Sequence, residues 1–352
     1  LPASPETGAL PERLARAITL GGPMSVAQFM AAANAEYYAT KASVGADGDF
    51  ITAPEISQMF GELIGVWLAD LWDRAGRPKV HYVELGPGRG TLAVDALRAM
   101  ARSGMELVEH LVDTSPRLRA EQRQVLPNAI WHDDISSLPE DGALLIVSNE
   151  FFDALPVQQV VRTPDGWRQR MVACQDTLFL PVSGKLVPET IVPESLRDSP
   201  VGSILETSPP GVAIIRQLSQ RLERQGGAML VVDYGYDGPA IGETLQAVRH
   251  HKHANPFDAP GDVDLSAHVD FATLGAAATL TGSTVHGPVS QGDFLGSLGI
   301  AARAASLARK SPERAEEITA AHQRLTSPDA MGTLFRAMAI TARRWPVPSG
   351  FS

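Results

Sequence analysis

The residues with the most chemical content stand in one short run, Glu84-Leu-Gly86-Pro-Gly88-Arg-Gly90-Thr91. It follows an apolar stretch, Val80–Leu85, that reads as a strand, and it opens a helix predicted at about Thr91–Arg102. Glycines at such a junction let the chain turn sharply and let a ligand lie against bare backbone. The amides exposed where the helix begins favour a carboxylate or a phosphate. Spacing separates the nucleotide-type ligands. A dinucleotide fingerprint needs G-x-G-x-x-G/A, but the third position counted from Gly86 is Thr91. No Gly-Lys-Ser/Thr follows, which removes a P-loop. A tight strand-to-helix turn without ligand is the plain alternative, yet three spaced glycines behind an acid exceed what a turn needs.

Acids recur at the ends of the next strands. The second, Val108–Val112, ends at Asp113, 27 residues beyond Gly86. A carboxylate there can accept both ribose hydroxyls of a nucleotide; capping the following helix is an equal alternative. The third, Ala129–His132, ends at Asp133-Asp134-Ile135. An acid at this point can accept an adenine amino group while Ile135 packs on the ring; taken singly, a solvated turn is the blander account. Together they converge, because doubly wound sheets bind ligands at the carboxyl ends of their strands. The form Glu84-x-Gly86-x-Gly88-x-Gly90 resembles motif I of class I S-adenosylmethionine (AdoMet) methyltransferases, which implies AdoMet as the cofactor.

The fourth strand, Ala143–Ser148, runs into Asn149-Glu150-Phe151-Phe152-Asp153-Ala-Leu-Pro156. Glu150 and Asp153 are three apart and share a face if the segment turns helically. Carboxylates beside aromatic rings suit a guanidinium, through bidentate charge-assisted bonds and stacking. Arginine is always protonated, so methylating it requires one nitrogen to be held in line and to lose a proton. Two acids can localise the charge and take that proton, and positioning supplies most of the acceleration. The competing account makes Phe151 and Phe152 core residues and the acids helix caps. At the end of a fifth strand, Tyr234 in Asp233-Tyr-Gly-Tyr236 either lines a pocket or covers the sheet. His250, His251 and His253 cluster without an acid at ligand spacing, so no metal site is expected. His268-Val-Asp270 either caps the next helix or makes a His–Asp contact in the pocket.

The elements that must hold these residues follow from the rest of the chain. Its 352 residues are 44% apolar and 20% charged, enough to bury a core without disulfides; the one cysteine, Cys174, excludes an internal disulfide and a cysteine-based zinc cage. A net charge of −10 argues against a nucleic-acid partner, which requires a basic face. No apolar run approaches 18 residues, so no membrane span is expected. Leu1–Gly8 has no cationic region of a targeting peptide. Strands alternating with helices from about residue 78 predict an α/β fold with a mostly parallel sheet covered on both faces. Ahead of it come two helices in 8–38 and a longer one at Glu55–Ala75. Residues 157–192 read as hairpins, and 236–267 show no period. A helix at 270–280, a strand near 283–290, helices across 293–326 and a strand near 334–342 close the chain. Residues 1–77 are taken as a helical extension and lid, and 78–352 as the catalytic domain with insertions at 157–210 and 236–267.

Seven ordered blocks together resemble the MidA-like, mitochondrial complex I assembly factor 7 family. They are Gly48–Gln58 with Phe60-Gly-Glu62, Glu84–Thr91, Asn149–Pro156, Val232–Tyr236, Asp264–Phe271, Gln291–Leu295 and Met331–Phe335. One departure is Glu36, which precedes Tyr37-Tyr38 where the family often has glycine, with a shortened loop after it. The resemblance implies a class I methyltransferase (Rossmann-like) fold with a seven-stranded, mostly parallel sheet. It maps the family's cofactor loop onto Gly86, Gly88 and Gly90, and a block that folds over the AdoMet site onto Asp49–Glu55. Joined to the residue reading above, the expected AdoMet cofactor set is Glu84, Gly86, Gly88, Gly90, Asp113, Asp133, Asp134, Ile135 and Asn149. The lid or substrate wall is Asp49, Thr52, Pro54, Glu55, Tyr234 and His268, and Glu150 and Asp153 are the catalytic pair. The implied activity is protein arginine methylation on a complex I subunit, in the mitochondrial matrix for eukaryotic relatives and in the cytoplasm for a bacterial one. Small-molecule methylation, or an AdoMet-binding assembly factor without turnover, are the alternatives.

Overall fold

The computed structural model describes residues 8–40, 52–249 and 252–351. Its centre is a sheet of seven strands: β1 Val80–Leu85, β2 Glu109–Val112, β3 Ile130–His132, β4 Ala143–Asn149, β5 Gly227–Tyr236, β6 Thr284–Ser290 and β7 Phe335–Thr341. They lie in the order β3-β2-β1-β4-β5-β7-β6. Strands β1 to β5 run parallel to one another, and β7 runs antiparallel between β5 and β6. An eighth strand, Val269–Asp270, pairs with the end of β5. Two residues carry no period, so sequence patterning cannot announce it. Every position of β1 and β4 is buried, as are the first eight of β5. That is the signature of a sheet covered on both faces.

The helices are α1 Leu10–Gly21, α2 Val26–Thr40, α3 Ala53–Ile56, α4 Gln58–Arg74, α5 Thr91–Ala101, α6 Pro116–Val125, α7 Pro209–Gln225 and α8 Phe271–Thr279; Gln291–Ser297, Ile300–Lys310 and Ala315–Thr326 follow. One face of the sheet packs on α4, α5 and these last helices, the other on α7 and α8. Helix α4 lies directly on α5 through Gly61 and Gly65; a Cβ on Gly65 would stand 2.3 Å from the Ala96 carbonyl oxygen. The single helix expected over Glu55–Ala75 is broken at Ser57. That residue is extended (φ −164°, ψ 139°) and caps α4, its side chain accepting the Met59 N–H. Among the described residues no helix is long and apolar enough to cross a membrane.

The hairpins expected at 157–192 form strands Gln158–Thr163, Gly166–Gln175 and Leu178–Leu186, joined by Ile204–Thr207 and Met24–Ser25 in a second sheet. The segment without a period contains strands Gln246–Arg249, Lys252–Ala254 and Asp264–Ser266, paired as a third sheet. Helices α1 and α2 share a core with both: Leu10, Leu14, Ile18, Phe29 and Met30 pack with Val172, Phe179, Ala247, Phe257 and Leu265. Glu36, the departure on α2, pairs with Arg13 of α1 at 3.2 Å.

Candidate active site

A cavity of about 680 Å³ lies over the carboxyl ends of β1, β2, β4 and β5. Between β1 and β4 the chain order reverses direction, the point at which such sheets bind ligands. The volume is within the roughly 300–1,000 Å³ usual for cofactor and substrate sites.

Its floor is the glycine loop. Gly86, Gly88 and Gly90 have φ of 61°, 54° and 86°, a region that disfavours side chains. A Cβ on Gly86 would meet the Phe151 ring at 2.8 Å. Glu84 is buried beneath the loop and accepts the Tyr82 hydroxyl at 2.6 Å; burial pushes its carboxyl up to about 8. Asp113 faces the cavity with Oδ1 on the Ser115 N–H (2.8 Å) and Oδ2 on Gln122 Nε2 (2.7 Å). The cap of α6 is Ser115, which accepts the Leu118 N–H. Gln122 also donates to the Gly88 carbonyl at 2.8 Å, tying the glycine loop to Asp113. Ile135 is buried on the far wall. Asp134 caps the 3-10 turn Ile135–Ser137 through the Ser136 N–H, and Asp133 is exposed and paired with Arg119 at 2.7 Å.

The acid loop forms the opposite wall. Glu150 has φ 51°, rare for a side-chain-bearing residue and a mark of a functionally constrained turn. Its Oε1 accepts Asn149 Nδ2 at 3.0 Å and the Ala53 N–H at 3.4 Å. Burial, then the neighbouring Asp153, push its carboxyl up to about 8. Asp153 is buried; its Oδ2 accepts the Tyr234 hydroxyl. Burial raises its pKa and the Tyr234 bond pulls it back. Asp153 Oδ1 and Asn149 Oδ1 are buried without a hydrogen-bond partner.

Thr52, Pro54 and Glu55 also line the cavity, and Glu55 accepts the Thr91 hydroxyl at the head of α5. Asp49 lies outside the described residues, as do His250 and His251. Tyr234 lines the cavity; His268 does not, its ring standing edge-on to Tyr234 at 5.5 Å. Asp270, the other half of that pair, caps α8 through the Thr273 N–H. Sequence reasoning passed over Asn34, Tyr37 and Tyr38 of α2, which close the cavity from above. It also passed over Asp233, whose buried carboxylate holds the acid loop from behind. The aromatic pair following Glu36 was the one local cue to α2.

The lining fits AdoMet. Eight acidic residues line the cavity against one basic side chain among the described residues, Arg89, which pairs with Glu121 at 3.2 Å. Two buried acceptors await donors. A ligand carrying positive charge and vicinal hydroxyls suits that set, and both Asp113 and Ile135 line the cavity. The fold and site therefore define a class I AdoMet-dependent methyltransferase.

Residues 63–289 match the family described as "Putative S-adenosyl-L-methionine-dependent methyltransferase". The chain is 36% identical over 375 residues to the protein arginine methyltransferase NDUFAF7 homolog, mitochondrial, of Drosophila melanogaster, covering 95% of this chain and 85% of that one. It is 34% identical over 356 residues to human protein arginine methyltransferase NDUFAF7, mitochondrial, covering 91% and 80%. A crystal structure from Burkholderia thailandensis bound to S-adenosyl-homocysteine superposes with a TM-score of 0.85 at 27% identity, covering 97% of this chain and 93% of that one. The chain belongs to the MidA-like, NDUFAF7 family of AdoMet-dependent methyltransferases.

Proposed function

We propose that this enzyme methylates an arginine side chain of a protein, and that the protein is a respiratory complex I subunit met during assembly. The observation that carries the arginine reading is the pair Glu150 and Asp153, set in the cofactor cavity, with an unpartnered carboxylate oxygen on Asp153. Bound AdoMet supplies an electrophilic methyl group. The chain's own residues have three tasks. Asp153 and Asn149 offer acceptors to guanidinium N–H groups, which orients the attacking nitrogen. The Phe151 ring and the walls from α2 exclude water. Glu150, pushed up to about 8, takes the proton the nitrogen loses when it is itself ionised, a fraction that grows as pH rises towards 8. The names of the relatives support the same acceptor; the complex I target rests on the family resemblance.

The test is transfer of labelled methyl from AdoMet to candidate complex I subunits, with the labelled residue identified by mass spectrometry. Arginine is expected. Label on lysine or on a small molecule would sink the proposal. Glu150→Gln should still bind AdoMet while its transfer rate falls about a hundredfold or more, the usual worth of a positioned base. If that variant still supports complex I assembly, scaffolding rather than turnover is the function.

A further inference from the structure

The last residues of β5 reach the acid loop at two levels. Asp233 is fully buried. Its Oδ2 accepts the N–H groups of Phe151 (3.2 Å), Phe152 (3.0 Å) and Asp153 (3.3 Å), and its Oδ1 accepts the Tyr234 N–H at 3.0 Å. One carboxylate therefore fixes three successive amides directly after the left-handed Glu150. Burial and the charges of Asp153 and Glu150 raise its pKa, and those N–H donors pull it back.

Tyr234, the next residue, acts on the side chain instead of the backbone. Its hydroxyl donates to Asp153 Oδ2, which leaves Oδ1 as the unpartnered oxygen of a residue on the cavity wall. The ring packs edge-on against His268 at 5.5 Å and Phe335 at 5.4 Å, while the position of the hydroxyl is fixed by its own bond to Asp153.

We propose that Tyr234 is a positioning residue: its hydroxyl locks the Asp153 carboxyl so that Oδ1 meets the incoming guanidinium, on a backbone that Asp233 has already clamped. This rests on the arginine reading of the site. The groups facing Asp153 are Tyr234 and Asp233 of β5, Glu150 of its own loop and Tyr38 of α2, with His268 behind Tyr234. Tyr38 is itself held by Asp264, donating to Oδ2 at 2.9 Å. The Tyr234 hydroxyl is thus the side-chain donor that favours an ionised Asp153, and it opposes the upward push of burial. Without it, Asp153 must keep its proton to a higher pH.

The experiment uses the full chain with Tyr234→Phe, and Phe335→Leu as a control that loosens the ring but keeps the hydroxyl. AdoMet affinity is read by calorimetry, transfer to an arginine peptide from pH 5.5 to 9, and Asp153 titration by 13C-carboxyl NMR assigned with Asp153→Asn. Tyr234→Phe should leave AdoMet affinity within about threefold and raise the KM for the arginine peptide about tenfold, the size of one charge-assisted hydrogen bond. It should also move the lower acid limb of the profile, and the Asp153 titration, up by about one pH unit. Phe335→Leu should leave both in place. If Tyr234→Phe shifts neither, or Phe335→Leu shifts both equally, the positioning role is overturned. If the wild-type chain labels no arginine, the functional proposal fails, while the NMR titration still decides whether Tyr234 sets Asp153.

Discussion

Glu150 combines two unusual properties, a left-handed backbone and a carboxyl pushed up to about 8. Both come from its place: the turn must carry the chain off β4, and the side chain is enclosed between α3 and Asn149. A base works deprotonated, so below about pH 8 the competent fraction shrinks about tenfold per pH unit. The kcat/KM for an arginine substrate should therefore climb from pH 6 and level above about 8; a flat profile over that range removes Glu150 as the base. Gly86 makes a separate prediction. At φ 61°, with the Phe151 ring 2.8 Å from where a Cβ would sit, Gly86→Ala must strain the loop and push that ring. AdoMet affinity should fall at least about tenfold by calorimetric titration, with the far-ultraviolet circular dichroism unchanged. These residues were legible in the sequence because each belongs to a local pattern: glycines at alternate positions, or two acids beside two rings. Asp233 was not, because a buried carboxylate bonded to amides some 80 positions away has no local signature.

At the scale of elements, the strands and their mostly parallel run were legible through the alternation of apolar runs and helices, but their order in the sheet and the side-chain register across them were not. His81 on β1, His110 on β2 and His132 on β3 show this. They are 29 and 22 positions apart, yet pairing brings His110 within 3.1 Å of His81 and 2.9 Å of His132. His132 continues to Ser137 at 2.8 Å, on the 3-10 turn that carries the cavity residue Ile135. Burial, followed by its two neighbours, lowers His110 to about 4, and burial lowers His132 as well. The folded chain therefore keeps His110 and His132 neutral where the unfolded chain would protonate them. Stability from this source is complete above about pH 6.5 and is lost as pH falls towards 4. His110→Asn should flatten the fall in unfolding free energy between pH 6.5 and 4 by on the order of 1–2 kcal/mol. Chemical denaturation at several pH values measures it, and parallel pH dependences in the two proteins would refute the ladder's contribution.

On the scale of the whole molecule, the helix that roofs the cavity, α2, shares one core with two distant stretches of the chain. Helices α1 and α2, the second sheet and the third sheet meet around Phe29, whose ring lies 5.4 Å from Phe179 and 5.7 Å from Phe257. Sequence reading separated an N-terminal extension from two insertions because chain order hides a shared core; periodicity says which face of a helix is buried, not against what. The cap reaches the site through α2. Asn34 donates to the carbonyls of Ala154 and Leu265 at 3.1 and 2.7 Å, and Ser115 Oγ donates to the Tyr38 carbonyl at 2.8 Å. Phe29→Ala empties a fully buried aromatic site and should cost about 3–5 kcal/mol of cap packing. The central sheet keeps its own two cores, which do not include Phe29. Hydrogen exchange should therefore quicken in α1, α2 and the second sheet while β1, β4 and β5 stay protected. Because α2 forms the roof over the glycine loop, AdoMet affinity should weaken in parallel, although Phe29 does not line the cavity. Uniformly faster exchange would show that the cap and sheet unfold as one unit. Unchanged AdoMet affinity despite faster exchange in α2 would show that the cofactor site stands without its roof.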